Sequence, residues 1–176
     1  MKTRSQTRKE QTMKESKKIV IFGDAGVGKT NFINKYMDTQ FERRYISTGK
    51  IKKFVKENKI IYDFPGQVKF GNYGSDTLKN ISLCIVMYEA NNNFSYKSVK
   101  FWIDKIKSYS NTPEIILVCN KIDLNKNFNI LTEGDYSCPE YIYHGSKANN
   151  PSNNIYEHFN ISVKKNINLS SVFERF

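Results

Sequence analysis

The amino-acid sequence predicts an α/β fold in three layers, with a mostly parallel six-stranded sheet and one antiparallel hairpin at its edge. Apolar runs of strand length alternate with helical patterns along the chain, as in a parallel sheet covered by helices. Two of these runs, 82–88 and 115–119, are apolar almost throughout, which is typical of strands buried on both faces. The third observation is a glycine-rich stretch, 23–30, between the first apolar run and the first helical pattern.

Each element has its own pattern in the sequence. β-branched apolar runs, or alternation of apolar and polar residues, predict strands at 18–22, 50–56, 59–63, 82–88, 115–119 and 141–143. Residues 57–58 form the turn of the hairpin. Apolar residues at helical spacing predict helices over 31–38 and 94–110, and a closing helix that carries Ile155, Phe159, Val163 and Ile167. We expect a disordered arm at 1–17, one folded domain at 18–168 and a short tail at 169–176.

Length and composition limit the classes of protein that fit this chain. Its 176 residues suit one domain with a single core. The chain has no run of 18 apolar residues and its first residues lack the apolar centre of a signal peptide, so we expect a cytoplasmic protein that is not secreted. The sequence is also compatible with a nuclear location. Three cysteines are an odd number, and two of them lie inside apolar runs, which predicts reduced core thiols.

The net charge of +11 is concentrated at one end of the chain. Residues 1–18 contain seven Lys or Arg against two Glu and so carry +5. A basic, polar arm of this kind can direct nuclear import, contact a membrane surface or only aid solubility. Nucleic-acid binding is the weaker hypothesis, because no platform of alternating basic and aromatic residues is evident.

The stretch 23–30 fits G-x-x-x-x-G-K-T, the pattern of a phosphate-binding loop. A strand that feeds such a turn and opens a helix points successive backbone N–H groups at one anion. Lys29 can reach the β- and γ-phosphates, and the Thr30 hydroxyl can ligate Mg²⁺. The nucleotide-binding residues predicted here are Gly23, Asp24, Ala25, Gly26, Val27, Gly28, Lys29, Thr30 and Asn31.

Further polar groups follow other strands, at the edge where open α/β sheets bind their ligands. Asp63 ends the second strand of the hairpin and can hold Mg²⁺ directly or through water. Asn120 and Asp123 follow a buried strand, and Ser146-Lys147 follow the predicted strand at 141–143. A carboxylate at Asp123 can accept hydrogen bonds from N1–H and the exocyclic amine of guanine. Adenine offers no such pair of donors, so GTP or GDP is the predicted ligand.

These motifs, in this order, resemble the Ras superfamily of small GTPases over residues 18–167. The motifs are Gly23–Thr30, Thr48, Asp63-Phe64-Pro65-Gly66-Gln67, Asn120-Lys121-Ile122-Asp123 and Gly145-Ser146-Lys147. Within the superfamily the chain is most similar to the Ran branch, because 41–45 and 67–71 resemble two segments of that branch. The chain as given ends without a cysteine to prenylate, as in Ran, so we expect no stable membrane anchor.

The resemblance implies a small G domain that binds GTP or GDP with Mg²⁺, hydrolyses GTP slowly and acts as a monomeric switch in intracellular or nucleocytoplasmic transport or signalling. Thr30, Thr48 and Asp63 would hold the metal, while Gln67, Lys29 and Thr48 would act in hydrolysis. Phe41 and Lys121 would lie against guanine, Tyr45 over the phosphates, and Gly66 beside the nucleotide. Ser146 and Lys147 would complete the guanine pocket. The implied partners are an exchange factor, a GTPase-activating protein and effectors.

Departures from the family pattern leave a second function open. Ala25 replaces the usual glycine and would crowd the γ-phosphate, and Gly49 follows Thr48 where an apolar residue is usual. Asp63 follows Thr48 by only 15 positions, which shortens the hairpin. The alternative is therefore a hydrolysis-impaired decoy or scaffold for transport or trafficking factors. An ATP-dependent kinase with the same phosphate loop would leave Asn120 and Asp123 unexplained.

Overall fold

A computed structural model describes residues 16–67, 77–109, 113–124 and 155–176, without the side chains of residues 155 and 156. The strands in these residues are β1 Lys17–Phe22, β2 Lys52–Lys56, β3 Lys59–Asp63, β4 Leu83–Glu89, β5 Glu114–Asn120 and β6 Ile155–Asn160. The α-helices in the same residues are α1 Lys29–Tyr36, α2 Asn93–Tyr109 and α3 Leu169–Phe173. A 3₁₀ turn, Ile122–Leu124, follows β5.

The strands form one six-stranded sheet in the order β2-β3-β1-β4-β5-β6. Neighbouring strands are parallel except β2 and β3, which form the antiparallel hairpin at one edge. This arrangement confirms the predicted fold class. The carboxyl ends of the five parallel strands lie at one edge of the sheet, where ligands of open α/β sheets bind.

Side-chain alternation along the central strand divides the core into two layers. In β1, Val20 and Phe22 join a cluster that contains Trp102 and other buried residues of α2. Ile19 and Ile21 point to the opposite face and join a cluster with buried residues of α1 and α3. Because successive residues of a strand face opposite sides, the sheet is covered by helices on both faces.

The prediction of a closing helix that carries Ile155 to Ile167 is wrong. Residues 155–160 form β6, which pairs in parallel with β5, and Ser162 and Ile167 then form an isolated antiparallel bridge around a turn. Apolar residues four apart also share one face of a strand, so four of them do not distinguish the two structures. The segment forms a strand because β5 would otherwise leave the backbone N–H and C=O groups of one edge unpaired, and β6 pairs with them.

The residues expected to form a tail, 169–176, instead pack against α1. Leu169 and Val172 are buried, and the rings of Phe173 and Phe176 lie between 4.6 and 6.0 Å from those of α1. The predicted strand 141–143, the motif at 145–147 and residues 1–15 of the arm lie outside the described residues.

We expect truncation of a central strand residue to destabilise the fold strongly. Ile85 of β4 is fully buried, so Ile85→Ala should lower the free energy of unfolding by about 2–5 kcal/mol. Val55 of the edge strand β2 is 56% exposed, and Val55→Ala should cost less than about 1 kcal/mol. Urea unfolding of both variants measures the difference, and equal losses would contradict this description of the core.

Candidate nucleotide-binding site

The loop between β1 and α1 has a backbone that requires glycine at two positions where other residues approach closely. Gly23 has φ +138° and Gly28 has φ +103°, both in the region that side chains rarely adopt. A Cβ atom on Gly23 would lie 2.1 Å from the Met87 carbonyl oxygen, and one on Gly28 would lie 2.4 Å from Asn120 Nδ2. The loop therefore fits closely against the ends of β4 and β5.

Lys29, the first residue of α1, is buried inside this loop. Its Nζ donates hydrogen bonds to the carbonyl oxygens of Gly23 and Asp24, each at 2.7 Å. Burial lowers the pKa of Lys29 to about 8, although the carboxylates of Asp63 and Asp24 oppose the change. A desolvated ammonium held by two carbonyl groups is poised to bind a more strongly charged acceptor such as a phosphate.

Three oxygen-bearing side chains meet beside Lys29. Thr30 Oγ1 donates to Asp63 Oδ2 at 2.6 Å and lies 3.2 Å from Thr48 Oγ1. Asp63 is fully buried at the end of β3, and its Oδ1 is buried without a hydrogen-bond partner. Burial raises the pKa of Asp63, against the hydrogen bond from Thr30 and the charge of Lys29.

This donor set fits Mg²⁺. Hydroxyl and carboxylate oxygens are the ligands that a hard cation prefers, and the unpaired Oδ1 of Asp63 can accept a bond from the ion or from its water. Among the described residues no three His, Cys, Asp or Glu side chains form a metal-binding group. Mg²⁺ in nucleotide sites is characteristically bound by one or two carboxylates together with phosphates and waters, so one aspartate with two threonine hydroxyls beside it is a suitable set.

The side chain of Asn120 joins three segments of the chain. Its Nδ2 donates to the Val27 carbonyl oxygen at 2.8 Å, and its Oδ1 accepts from the Val163 N–H at 3.1 Å. Asn120 is almost fully buried at the end of β5. Both ends of the amide are therefore satisfied, and they fix the phosphate loop and the segment after β6 relative to β5.

Lys121 and Asp123 follow Asn120, and both line a cavity that also contains Lys29. Lys121 adopts φ +65° and pairs with Glu89, Nζ to Oε2 at 2.8 Å. Asp123 Oδ1 accepts a hydrogen bond from Ser162 Oγ at 2.6 Å, and Ser162 Oγ in turn accepts from the Lys165 N–H at 3.0 Å. The carboxylate is thereby oriented while its other oxygen remains able to accept.

Sequence reasoning missed the part that Ser162, Val163 and Lys164 play. The structure places Ser162 against Asp123 and Val163 against Asn120, and Val163 and Lys164 line the cavity. The predicted residues Ser146 and Lys147 lie outside the described residues and remain a prediction. The sequence Ser162-Val163-Lys164, a serine and a lysine close together as at 146–147, was the available signal, but this segment was assigned to the closing helix.

The irregular loop 41–49 is tied to the site near both of its ends. Asn31 holds Glu42 through two hydrogen bonds of 2.8 Å, and Thr48 meets Thr30. Phe41 is half-buried against the core cluster that contains Phe32 of α1, while Tyr45 is 64% exposed. Phe41, Tyr45 and Thr48 all line the cavity, so the loop forms one of its walls.

Gly66 lies directly against the phosphate loop. A Cβ atom on Gly66 would be 2.2 Å from the backbone nitrogen of Ala25, so only glycine fits at this distance. Ala25 is exposed and lines the cavity with Gly66. Gln67, the last residue described before the gap at 68–76, is exposed, and we keep its role as a prediction.

A single cavity of about 1210 Å³ connects these groups. It runs from the phosphate loop at Gly26–Thr30 past the loop 41–48 to Lys121, Asp123 and Lys164. Its lining includes seven Lys or Arg and only two acidic residues. The volume suits a nucleotide and the charge suits its phosphates, so the fold and site define a nucleotide-binding protein of the P-loop class.

Comparison with known proteins gives the family. Residues 18–176 match the model of the Ras family, and the chain therefore belongs to that family. It is 31% identical to "Ras-related protein Rab-3C" of Bos taurus over 167 residues, which cover 90% of this chain and 68% of that protein. It is 30% identical to "Ypt/Rab-type GTPase ypt71" of Schizosaccharomyces pombe, with 89% of this chain and 77% of that protein covered.

A third relative, "Ypt/Rab-type GTPase avaA" of Emericella nidulans, is 28% identical over 89% of this chain and 78% of its own. Members of the Ras family bind guanine nucleotides with Mg²⁺ and hydrolyse GTP, and they act with regulators and effectors. These relatives are Rab-type, so they do not show the expected Ran branch. In the part of the chain that the structure describes, no helix has the length and apolarity needed to cross a membrane.

We expect Lys29 to make the nucleotide-free protein more stable as the pH rises from about 8 to 10. Folded Lys29 releases its proton near pH 8, whereas in the unfolded chain it keeps it to about pH 10.5. The unfolded state then binds more protons in this interval, so the free energy of unfolding increases, by about 2 kcal/mol. Urea unfolding of wild type and Lys29→Met at both pH values isolates this contribution, and parallel profiles would contradict it.

We expect Ser162→Ala to weaken GDP binding about tenfold, because the hydroxyl that orients the Asp123 carboxylate is lost. Binding of ADP, which offers no donor pair to Asp123, should change little. Ser171→Ala, at an exposed serine of α3 outside the cavity lining, is the matched control and should bind GDP within about twofold of wild type. Titration with fluorescent nucleotides measures all three. GDP binding by Ser162→Ala that equals wild type would contradict this role of Ser162.

Proposed function

We propose that this protein is a guanine-nucleotide switch that binds GTP or GDP with Mg²⁺ and hydrolyses GTP slowly. The observation that carries the proposal is the position of Asp123, held by Ser162 in the cavity that also contains Lys29 and Thr30. A base-reading carboxylate and a phosphate loop in one cavity distinguish guanine-nucleotide binding from phosphate binding alone. Membership of the Ras family supports the same activity.

Guanine recognition depends on the carboxylate of Asp123. Its oxygens can accept from N1–H and the exocyclic amine of guanine, and Ser162 fixes the orientation of the group. An adenine base would leave this carboxylate unpaired, at a cost of several kcal/mol or about 10⁴ in selectivity. Lys121 extends beside the base site, where its pairing with Glu89 restricts the side chain.

The phosphates bind at the other end of the cavity. Backbone N–H groups of the loop and the N-terminus of α1 face the anion, and Lys29 exchanges its two carbonyl partners for phosphate oxygens. Thr30 and Thr48 would hold Mg²⁺, with Asp63 bonded to the ion or to its water. Bound Mg²⁺ would neutralise the charge that develops on the β- and γ-phosphates.

In hydrolysis, Gln67 orients the attacking water and Lys29 stabilises the charge on the transferred phosphoryl group. With GTP bound, Thr48 contacts the γ-phosphate and so holds the loop 41–49 against the nucleotide. The loop loses this contact when the phosphate leaves. The nucleotide state then changes the surface that carries the exposed residues Tyr45 and Ile46. Exchange factors, activating proteins and effectors are the partners that such a surface would serve.

The Rab-type relatives favour a Rab-like branch over the Ran-like branch that the sequence suggested. The Ran-like segment 41–45 forms a wall of the cavity, where the nucleotide constrains the sequence whatever the branch. Nucleocytoplasmic transport therefore stays a prediction from that resemblance. Its support is limited to 41–45, 67–71 and the basic arm.

A second candidate function, a GTP-binding decoy or scaffold with impaired hydrolysis, is favoured by the contact between Gly66 and Ala25. Gly66 already approaches the Ala25 backbone as closely as a glycine allows. The methyl group of Ala25 then occupies the entrance that Gln67 and a partner's arginine would share. Both would have to act in less space than beside a glycine.

We expect Ala25→Gly to accelerate single-turnover GTP hydrolysis by about tenfold and Gln67→Leu to slow it by at least that factor. The first change removes a methyl group from the cavity, and the second removes the group that positions water. Phosphate release from preloaded protein measures each rate. Ala90→Gly, an alanine outside the cavity lining, controls for backbone flexibility and should match wild type.

The outcomes separate the two functions. Wild-type turnover that exceeds the Gln67→Leu rate supports the switch. Wild-type turnover equal to that of Gln67→Leu, restored by Ala25→Gly, supports the decoy or scaffold. The nucleotide released on denaturing the purified protein provides the first check, since absence of GTP and GDP in the presence of Mg²⁺ would overturn both.

A further inference from the structure

The only tryptophan of the chain contacts the phosphate loop from the opposite face of the sheet to α1. Trp102 lies in the middle of α2 and is 1% exposed. Its indole Nε1 donates a hydrogen bond of 2.8 Å to Asp24 Oδ1. Asp24 is the second residue of the phosphate loop, and its carbonyl oxygen is one of the two that hold Lys29.

An aromatic stack fixes the indole in this position. The Trp102 ring is stacked on Phe22, with centroids 5.6 Å apart and planes inclined by 29°. Phe22 also contacts Phe64 at 4.5 Å. Phe22 precedes the phosphate loop and Phe64 follows Asp63, so this stack joins α2 to two segments of the nucleotide site. A buried, stacked indole has little freedom, and the direction of its N–H is therefore set by packing.

A carboxylate in a phosphate-binding loop must be kept away from the phosphates that the loop binds. Asp24 is half-buried, and its charge, after that of Asp63, opposes the lowering of the Lys29 pKa by burial, so its field reaches the ammonium that must bind phosphate. Turned toward the cavity, the same carboxylate would repel the phosphates and compete with them for Lys29. The repulsion would be greater for GTP, which carries one more negative charge than GDP.

We infer that Trp102 is a positioning residue for nucleotide binding: its indole N–H holds the Asp24 carboxylate against α2, away from the phosphates. The inference rests on the proposed guanine-nucleotide function and adds a determinant of GTP affinity that lies outside the cavity lining. Trp102 then has two separate roles. Packing against Phe22 stabilises the fold, and the hydrogen bond controls one charge.

A double-mutant cycle distinguishes these roles. Trp102→Phe keeps an aromatic ring and removes the N–H, so it should lower GTP affinity about tenfold and GDP affinity about threefold. Asp24→Asn keeps an acceptor for the indole and removes the charge, so it provides the background in which the effect of Trp102→Phe is measured a second time. Combined with Asp24→Asn, Trp102→Phe should no longer reduce GTP affinity, because the repelling charge is gone.

A third variant tests the inference without disturbing the aromatic stack. Asp24→Glu retains the charge, and its longer side chain displaces the carboxylate from the position that the indole fixes. It should lower GTP affinity more than GDP affinity, as Trp102→Phe does. Two controls on α2 are Tyr109→Phe, which removes one hydroxyl from an aromatic residue, and Asp104→Asn, which removes one exposed charge. Both should bind as wild type.

Calorimetric titration of each protein with GTP and GDP in Mg²⁺ gives the affinities. Rescue of Trp102→Phe by Asp24→Asn, together with a reduced GTP preference in Asp24→Glu, confirms the inference. A loss that persists in the double variant would assign Trp102 to packing alone and overturn it, as would wild-type binding by Asp24→Glu. Wild-type protein that binds neither nucleotide would overturn the proposed function itself, and the inference with it.

Discussion

The two hydrogen bonds of the Asn120 side chain are the constraint on which the site depends. This amide is buried at the end of β5, where it holds the Val27 carbonyl on one side and the Val163 N–H on the other. A buried amide that lost either partner would carry the cost of an unsatisfied polar group, so both segments are held in place. The phosphate loop and the segment after β6 therefore keep a fixed separation, and Gly28 must lack a Cβ to allow it.

Lys29 and Asp63 are two charged groups of the site that are destabilised by burial. Burial lowers the pKa of Lys29 and raises that of Asp63, so each charge is less stable in the protein than in water. Their ligands, phosphate and Mg²⁺, would restore the interactions that burial removed. A third charge nearby, that of Asp24, accepts the hydrogen bond of the Trp102 indole on the other side of the loop.

Local patterns were sufficient for most of the fold and for the strand–loop–helix unit around 23–30. The strands around Val20 and Ile85, the hairpin turn and the 23–30 motif each depend on neighbours in sequence, and the structure has them within a few residues of prediction. The segment after β6 was not predictable in this way. Its conformation depends on the free edge of β5 and on Asn120, which lie about 40 residues away. Likewise, no pattern relates Trp102 to Asp24, because their contact spans 78 positions.

The hydrogen bond between Ser162 and Asp123 has a consequence for folding. The two residues are 39 positions apart, and β6 must pair with β5 before they can meet. Contacts of this sequence separation carry a large loop-closure entropy and form slowly. The strand and helix that flank the phosphate loop are neighbours in sequence, although Asn120 also holds the loop from 93 positions away. If Asp123 reads guanine as proposed, selectivity for the base should therefore appear only after β6 has paired with β5, later than the local strand–loop–helix unit.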